Sequence, residues 1–344
     1  MTDRLRVVIA TPLTRELVEL ITRDERLEVV WEPELLNDPE IDWMVGPRQR
    51  TPEDQARYEA LLDSAEVLFG VPDQSGRALA RTVAANPRLR WVHTIPAGGG
   101  QQVRAARLDD AALARILFTT SAGVHATPLA EFAVFGVLAG AKRLPWLQGM
   151  QRERRWGPRE PLRLLAETTV LVVGLGAIGR LTAEKLSALG CRVVGVHRRE
   201  VEAAVEEIVP VERFAEAAAT ADAIVLALPG TDATRGMLSA EVLAAVKPGI
   251  TVVNVGRGTT VDEPALVEAL RDGRVGLAVL DVTAVEPLPE DSPLWGMPNA
   301  VLAPHTAAIS PHEPRLIAEL FAENARRFLD GETLLNVVDT REFY

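Results

Sequence analysis

The sequence predicts an α/β protein with two doubly wound parallel sheets, each covered on both faces by helices. Two series of short apolar segments, rich in valine, leucine and isoleucine, alternate with helical patterns over most of the chain. The segments of the second series are apolar on both faces, as strands buried between two helical layers must be. The chain has 344 residues, which is enough for two domains that each bury a core.

The predicted strands fall into two groups separated by a long helical stretch. The first group covers residues 6–10, 28–31, 67–69, 90–94 and 117–119, with helical patterns over residues 52–62 and 76–85. The second group covers residues 169–173, 192–196, 223–228, 251–255, 276–280 and 301–302. Because each strand is followed by a helical pattern or a turn, we expect parallel pairing with crossover helices.

Helix-end signals bound the helices between and after the two groups. Residues 128–151 read as one long helix, with Thr127 as its cap and Pro128 in its first turn. A last helix over residues 314–330 ends at Gly331, a natural C-terminal cap. One face of this helix is expected to be apolar and to carry Leu316, Ile317, Leu320, Phe321, Phe328 and Leu329. Trp146, Trp156 and Trp295 are expected to pack in the core, the alternative being that they line a pocket or a dimer seam.

Composition and charge exclude several classes of function. The net charge of −11 argues against a general nucleic-acid binder, which would show a basic face. The single cysteine, Cys191, permits no intramolecular disulfide, and no cysteine–histidine cluster has the spacing of a zinc site, so no metal is expected. No apolar run approaches the ~20 residues of a membrane span, and the apolar run at residues 5–10 is too short for a signal peptide. We therefore expect a cytoplasmic protein without membrane or nucleic-acid partners.

The strongest local motif is a glycine-rich turn between a predicted strand and a predicted helix. The strand at residues 169–173 runs into Gly174-Leu-Gly176-Ala177-Ile178-Gly179, and a helical pattern over residues 180–189 follows. In a dinucleotide site the first glycine permits the tight turn, the second lets the backbone approach a pyrophosphate, and the third packs helix on strand. The helix N-terminus then supplies N–H groups to the phosphates. The alternative is an ordinary glycine turn.

The end of the next strand predicts which coenzyme binds. An NAD site usually has an acidic residue here to bind the ribose 2′-hydroxyl, but this strand ends in His197-Arg198-Arg199, with the first carboxylate at Glu200. Two guanidinium groups can bind a 2′-phosphate, which an acid would repel. We therefore expect NADP(H) to be preferred, with NAD(H) possible. The alternative is that both arginines simply face solvent.

Three further motifs lie near the ends of the last predicted strands, where α/β sheets bind ligands. They centre on Arg257 between two glycines, on Asp281 followed by Glu286, and on His305. An arginine can bind a carboxylate and polarise a carbonyl, and a histidine can exchange a proton near neutral pH. A carboxylate beside the histidine would favour its protonated form. Separately, the three could be a surface arginine, a turn residue and a satisfied core histidine.

Taken in order, these motifs resemble the D-isomer-specific 2-hydroxyacid dehydrogenase family, of the hydroxypyruvate and glyoxylate reductase kind. The similar segments are the glycine turn, Leu228-Pro229 with Thr234-Arg235-Gly236, Asn254-Val-Gly256-Arg257-Gly258, Asp281-Val with Glu286-Pro287-Leu288, and Pro304-His305. The resemblance extends more loosely from the first strand to Asn336. The ordered set is far more specific than any one motif.

The resemblance implies a flavodoxin-like substrate domain of residues 1–120 and 311–344, with a Rossmann cofactor domain of residues 121–310 inserted in it. It implies that His305 is the acid/base, Glu286 its partner and Arg257 the substrate anchor. Substrate contacts are expected from Ala97, Gly98 and Gly99 together with Arg257 and His305. Coenzyme contacts are expected from Gly174, Gly176, Ala177, Ile178, Gly179, His197, Arg198, Arg199, Leu228, Pro229, Thr234, Val255, Gly256 and Asp281. Family members usually form homodimers through the cofactor domain.

The expected reaction is hydride transfer between NADP(H) and C2 of a small 2-keto or 2-hydroxy acid. Two segments depart from the family pattern. Relatives usually carry Ala-Gly followed by an apolar residue and Asp or Asn, where this chain has Ala97-Gly98-Gly99-Gly100, and many have a glycine two or three residues after the histidine, where this chain has Thr306-Ala307-Ala308. Two alternatives share the same motifs. One is a dinucleotide-sensing interaction protein of the corepressor kind, and the other is a dehydrogenase of the same fold that acts on formate or phosphite.

Overall fold

A computed structural model describes residues 4–38 and 48–343 and divides the chain into two compact units. The first unit comprises residues 1–124 and 310–344, and the second unit comprises residues 125–309. The expected substrate domain includes residues 1–3, 39–47 and 344, which lie outside the described residues. Each unit is built around its own parallel sheet.

The described part of the first unit contains a five-stranded parallel sheet with the order β2-β1-β3-β4-β5. Its strands are β1 (Leu5–Ile9), β2 (Leu27–Val30), β3 (Val67–Phe69), β4 (Trp91–Thr94) and β5 (Leu117–Thr120). This is the flavodoxin-like order, and it confirms the predicted fold class for this half of the chain.

Helices numbered along the chain cover this sheet. They are α1 (Arg15–Ile21), α2 (Pro52–Asp63), α3 (Gly76–Ala85), α4 (Gly100–Ala105), α5 (Asp110–Arg115) and α12 (Glu313–Asp330). Phe321 of α12 stacks on buried Trp91 with ring centroids 4.8 Å apart, which anchors this C-terminal helix in the core of the first unit. The helix ends as predicted at Gly331, whose φ of 70° is easily adopted only by glycine. Leu316 does not belong to the buried face, because it is 41% exposed.

The second unit contains a seven-stranded parallel sheet with the order β12-β11-β10-β9-β6-β7-β8. Its strands are β6 (Thr169–Val173), β7 (Arg192–Val196), β8 (Glu207–Val209), β9 (Ala223–Leu226), β10 (Ile250–Asn254), β11 (Val275–Leu280) and β12 (Ala300–Leu302). Strands β6 to β11 have the doubly wound order of a Rossmann sheet, with the chain reversing direction between β6 and β9. Strand β8 is absent from the prediction, because its three residues carry a glutamate and lie among polar residues.

The helices of the second unit are α6 (Ala126–Ala141), α7 (Leu144–Arg152), α8 (Ala177–Ala188), α9 (Phe214–Thr220), α10 (Ala240–Ala245) and α11 (Glu263–Arg271). Helix α6 packs tightly on β10, because a Cβ at Gly140 would lie 1.9 Å from the Thr251 hydroxyl oxygen. Helix α6 therefore lies against one face of the sheet, and the turns described below lie at the carboxyl ends of its strands.

Two predicted helix boundaries are wrong. The single helix expected over residues 128–151 is two helices, since Arg143 adopts a left-handed conformation (φ 52°, ψ 48°) that interrupts the hydrogen-bond ladder. Its first helix begins at Ala126, so Thr127 lies inside the helix and does not cap it. Helix α8 begins at Ala177, three residues before the predicted start, so the last glycine of the turn already lies within the helix.

The tryptophans also depart from expectation. Trp156 is fully exposed and Trp295 is 59% exposed, so neither packs in a core. Among the described residues, no helix is both long enough and apolar enough to cross a membrane.

Candidate active site

The predicted coenzyme and catalytic residues of the second unit lie at the carboxyl ends of its strands. The glycine turn follows β6, His197 follows β7, and Leu228 follows β9. Arg257, Asp281 and His305 follow β10, β11 and β12, which are adjacent in the sheet. Parallel strands end at one edge, so the topology brings these residues to the same side of the second unit.

The glycine turn has the local geometry of a phosphate-binding loop. Gly174 has a φ of 94°, and a Cβ at Gly179 would lie 1.8 Å from the Gly174 carbonyl oxygen. A Cβ at Gly176 would meet nothing within 4 Å, so the space in front of that residue is open. No side chain caps α8, which leaves its first N–H groups for another acceptor. This opening and these donors fit the pyrophosphate of a dinucleotide.

Positive charge surrounds the end of β7. The Leu175 backbone N–H donates to His197 Nδ1 at 3.3 Å, which ties the glycine turn to this strand end. Burial lowers the pKa of His197, and the positive charges of Arg198, Arg180 and Arg199 lower it further. Arg180 lies in the first turn of α8 and was missed at the level of sequence. Its position directly after the third glycine is the signal that could have found it.

The turn after β9 and the turn after β10 pack against each other. A Cβ at Gly256 would lie 2.5 Å from the Leu228 carbonyl oxygen, so this contact requires glycine. The Thr234 hydroxyl donates to the Pro229 carbonyl at 2.6 Å and closes the turn after β9. Val255 is buried beneath the turn that carries Arg257.

Buried Asn254 shapes the turn that presents Arg257. Its Oδ1 accepts the Gly256 N–H at 3.0 Å, and its Nδ2 donates to the Arg257 carbonyl at 3.1 Å. The Thr260 hydroxyl donates to the same carbonyl at 2.7 Å. These three hydrogen bonds fix the backbone of the turn. The Arg257 side chain is exposed, whereas the residues on either side of it are buried. Its guanidinium contacts only the Gly256 carbonyl oxygen among the described residues, at 2.7 Å.

His305 and Glu286 form a hydrogen-bonded pair. Nδ1 of His305 lies 2.8 Å from Oε2 of Glu286, and the two side chains are 45% and 38% exposed. The other carboxylate oxygen, Oε1, accepts the Thr283 backbone N–H at 3.0 Å. The pairing at Nδ1 orients the ring and leaves Nε2 as the nitrogen available to a substrate.

Asp281 holds the backbone around His305. Its carbonyl oxygen accepts the His305 N–H, and its Oδ1 accepts the N–H groups of Thr306 and Ala307, all at 2.9 Å. His305 adopts a φ of 54°, which non-glycine residues keep only when their surroundings impose it. Burial raises the pKa of the Asp281 carboxyl, and the N–H groups of Ala307 and Thr306 oppose that shift.

The predicted substrate loop lies in the first unit and follows β4. Gly99 packs on Thr94, because a Cβ there would lie 1.7 Å from the Thr94 hydroxyl oxygen. The Gly99 N–H donates to the Pro96 carbonyl at 3.0 Å, so the triple glycine forms a defined turn. Among the described residues, the N–H groups of Ala97 and Gly98 have no acceptor.

A glycine turn at a Rossmann switch point and a histidine–carboxylate pair at the same edge of the sheet define a class, the dinucleotide-dependent oxidoreductases. In the described part of the chain, no group of three or more His, Cys, Asp or Glu residues could hold a metal ion.

Comparison with known proteins identifies the family. Residues 134–307 match the model described as D-isomer specific 2-hydroxyacid dehydrogenase, NAD binding domain. The chain is 33% identical over 270 residues to a glyoxylate reductase of Korarchaeum cryptofilum, covering 76% of this chain and 79% of that protein. It is 30% identical over 307 residues to glyoxylate/hydroxypyruvate reductase A of Serratia proteamaculans, covering 87% and 94%.

A solved structure leads to the same family. A D-isomer specific 2-hydroxyacid dehydrogenase from Xanthobacter autotrophicus Py2, in complex with NADPH and MES, superposes with a TM-score of 0.77 at 30% identity, covering 98% of this chain and 100% of that one. The protein belongs to the D-isomer specific 2-hydroxyacid dehydrogenase family and is an NAD(P)-dependent oxidoreductase. The resemblance drawn from the motifs is thereby confirmed.

Proposed function

We propose that the protein transfers a hydride between NADP(H) and C2 of a small 2-keto or 2-hydroxy acid, in the manner of glyoxylate and hydroxypyruvate reductases. The observation that carries the proposal is the pair of His305 Nδ1 and Glu286 Oε2, 2.8 Å apart, on the unit that also carries the glycine turn. We assign the coenzyme domain to residues 121–310, which include the second unit (residues 125–309), and the substrate domain to residues 1–120 with 311–344.

When bound, the reduced nicotinamide supplies the hydride that adds to C2. Arg257 binds the carboxylate and polarises the C2 carbonyl. His305 donates its Nε2 proton to the carbonyl oxygen, which converts the ketone to the alcohol, and takes a new proton from solvent. Glu286 stabilises the charged imidazolium through Nδ1. The N–H groups of Ala97 and Gly98, which meet no acceptor within residues 4–38 and 48–343, are donors for the substrate carboxylate.

The charge around His197 supports a preference for NADP(H) over NAD(H). Three arginines act on this histidine, and neither Arg180 nor Arg199 has a carboxylate partner among the described residues. Arg180 and Arg199 can therefore offer their charge to the extra 2′-phosphate. The similar enzyme from Xanthobacter autotrophicus was solved with NADPH. The remaining coenzyme contacts are those expected from the motifs.

Coenzyme oxidation with glyoxylate, hydroxypyruvate, pyruvate and phenylpyruvate, each with NADPH and NADH, tests the proposal. We expect turnover with at least one acid, higher kcat/KM with NADPH, and a loss of about 10²–10⁴-fold in kcat for His305→Gln with coenzyme binding intact. No oxidation with any acid would overturn the activity and favour a dinucleotide-sensing role. Activity with formate or phosphite alone would change the substrate, and a clear NADH preference would overturn the coenzyme assignment.

We also propose a homodimer that forms through the second unit. Helices α6 and α7 expose Phe135, Leu138 and Leu147, and the following segment exposes Trp156 completely. Large apolar side chains concentrated on one unit suit a self-complementary contact with a second copy. Sedimentation velocity should give a dimer mass, and Leu138→Glu should shift it towards the monomer. A monomeric wild type would overturn the proposal.

A further inference from the structure

Helix α11 follows the turn that presents Arg257, and its first residue, Glu263, is a carboxylate that the proposed mechanism does not use. Helix α11 begins at Glu263, and its cap is already supplied by Asp262, whose Oδ1 accepts the Ala265 N–H at 3.2 Å. Glu263 is therefore not needed as the cap. Its Oε2 instead accepts the N–H of Ala284 at 2.8 Å, in the loop that leads to Glu286.

The peptide between Thr283 and Ala284 is held from two sides. Glu263 bonds its N–H from one side. From the other side Gly258 lies so close that a Cβ there would be 1.9 Å from the Thr283 carbonyl oxygen and 2.5 Å from the Ala284 nitrogen. The turn that presents Arg257 thus rests directly on a peptide whose position Glu263 fixes.

Thr283, which contributes the carbonyl of this peptide, also determines where the Glu286 carboxylate lies. The Thr283 N–H donates to Glu286 Oε1 at 3.0 Å, and the Thr283 hydroxyl donates to the Val285 carbonyl at 2.8 Å. These bonds close a tight loop of four residues with Glu286 at its end. A displacement of the Thr283–Ala284 peptide would therefore move Oε2 relative to His305 Nδ1.

We propose that Glu263 is a positioning residue for the reaction. It holds the Thr283–Ala284 peptide against Gly258, so that the guanidinium of Arg257 and the Glu286–His305 pair keep a constant separation. Glu263 touches neither substrate nor coenzyme and acts through this peptide. The expected effect on kcat rests on the proposed function. The contact between Glu263 and the Ala284 N–H does not, because it can be tested without turnover.

Glu263→Ala removes the acceptor, and Glu263→Gln keeps an oxygen at the same reach. Glu241→Ala is the matched control, since Glu241 lies in the first turn of α10, where Ser239 supplies the cap. We expect Glu263→Ala to lower kcat about 10–100-fold, the range seen when a supporting hydrogen bond around a site is lost. Coenzyme affinity should not change. Glu263→Gln should recover most of the activity, and Glu241→Ala should match the wild type.

Two readouts separate positioning from a general loss of stability. The fall in activity of Glu263→Ala should appear in kcat, with the KM for NADPH unchanged, because the displaced groups act on the keto acid and not on the coenzyme. Amide exchange of Thr283 and Ala284, measured without coenzyme, should accelerate in Glu263→Ala and remain slow in Glu263→Gln. If Glu263→Ala does not fold, Glu263→Asp keeps the charge but shortens the side chain, and the same two readouts apply.

Unchanged exchange and an unchanged kcat in Glu263→Ala would overturn the inference, as would a Gln variant as impaired as the Ala variant. The proposed function fails in a different way, through a wild type without turnover or an active His305→Gln. A wild type that is active and dependent on His305, together with a fully active Glu263→Ala, would reject the positioning role alone.

Discussion

The backbone N–H of His305 donates to the carbonyl oxygen of Asp281 at 2.9 Å, and the Asp281 carboxylate accepts the next two N–H groups. The end of β11 thus dictates the left-handed conformation of the histidine that follows β12. Asp281, which the family resemblance implies is a coenzyme contact, also holds the backbone of the histidine.

Replacement of Asp281 tests how strongly that backbone depends on the carboxylate. Asp281→Ala should lower kcat by roughly tenfold or more, since the N–H groups of Thr306 and Ala307 lose their acceptor and the loop can relax. Asp281→Asn keeps the Oδ1 acceptor and should be much less impaired in steady-state kinetics. Equal kcat values for wild type and Asp281→Ala would contradict the role.

The raised pKa of Asp281 makes a separate prediction about stability. A carboxyl whose pKa is higher in the folded state than in the unfolded state binds more protons when folded, so its contribution to stability falls as pH rises through that window. Asp281→Asn should therefore lose less stability than wild type between acidic and neutral pH in urea denaturation. A steeper loss in the variant would contradict the assignment.

Gly258→Ala should separate Arg257 from the histidine–carboxylate pair. The new Cβ would lie 1.9 Å from the Thr283 carbonyl oxygen, so one of the two backbone segments must move. We expect kcat/KM for the keto acid to fall by about 10²-fold, as for a displacement of about 1 Å. The control is Gly149→Ala, because a Cβ on that helical glycine meets nothing within 4 Å. Similar kinetics for the two variants would argue against the packing described.

Arg180→Gln should reduce the preference for NADPH. The arginine acts on His197 together with Arg198 and Arg199, so we expect it to contribute to the site of the 2′-phosphate. Loss of one charge-assisted contact should weaken binding of 2′,5′-ADP by about tenfold, with little change for 5′-ADP, in calorimetric titrations. Equal weakening of both ligands would contradict this role and indicate that Arg180 binds the pyrophosphate or stabilises the fold.

Buried His93 should make the stability of the first unit against unfolding depend on pH below neutrality. Burial lowers the pKa of His93 to about 3, while Thr119 and Ser121 hold its two ring nitrogens at 2.9 and 3.2 Å. Between that pKa and the usual value of 6.5 the unfolded chain binds a proton that the folded chain does not. Stability therefore falls as pH falls through this window, by up to about tenfold in the unfolding constant per pH unit.

Urea denaturation from pH 7 to pH 4 measures this effect. His93→Gln should lower stability at pH 7 yet give a shallower decline with acid, because the group that titrates is gone. His312→Gln, at an exposed position, should keep the wild-type slope. An identical slope in the His93 variant would contradict the prediction.

The fold class followed from sequence because its signals are local. Strand and helix periods are visible in short windows, and the glycine turn is defined by residues 174–179 alone. Strand β8 and the break at Arg143 were missed for a physical reason. Tertiary packing can stabilise a short polar strand or one left-handed residue against its intrinsic preference, and no window shows that packing.

The features of the candidate site also fall into two groups, those that the local sequence reveals and those that only the folded chain brings together. The sequence by itself determined the ordered set of Gly174, Arg257, Glu286 and His305, because each carries chemistry that its neighbours reveal. The family resemblance also implied that Glu286 pairs with His305, and the structure gives that contact its geometry. Only the tertiary structure decided that Asp281 holds the histidine backbone and that Glu263 and Gly258 enclose one peptide. Those contacts join segments 19 to 25 residues apart in sequence. Parallel strands that end at one edge of the sheet bring them within hydrogen-bond distance.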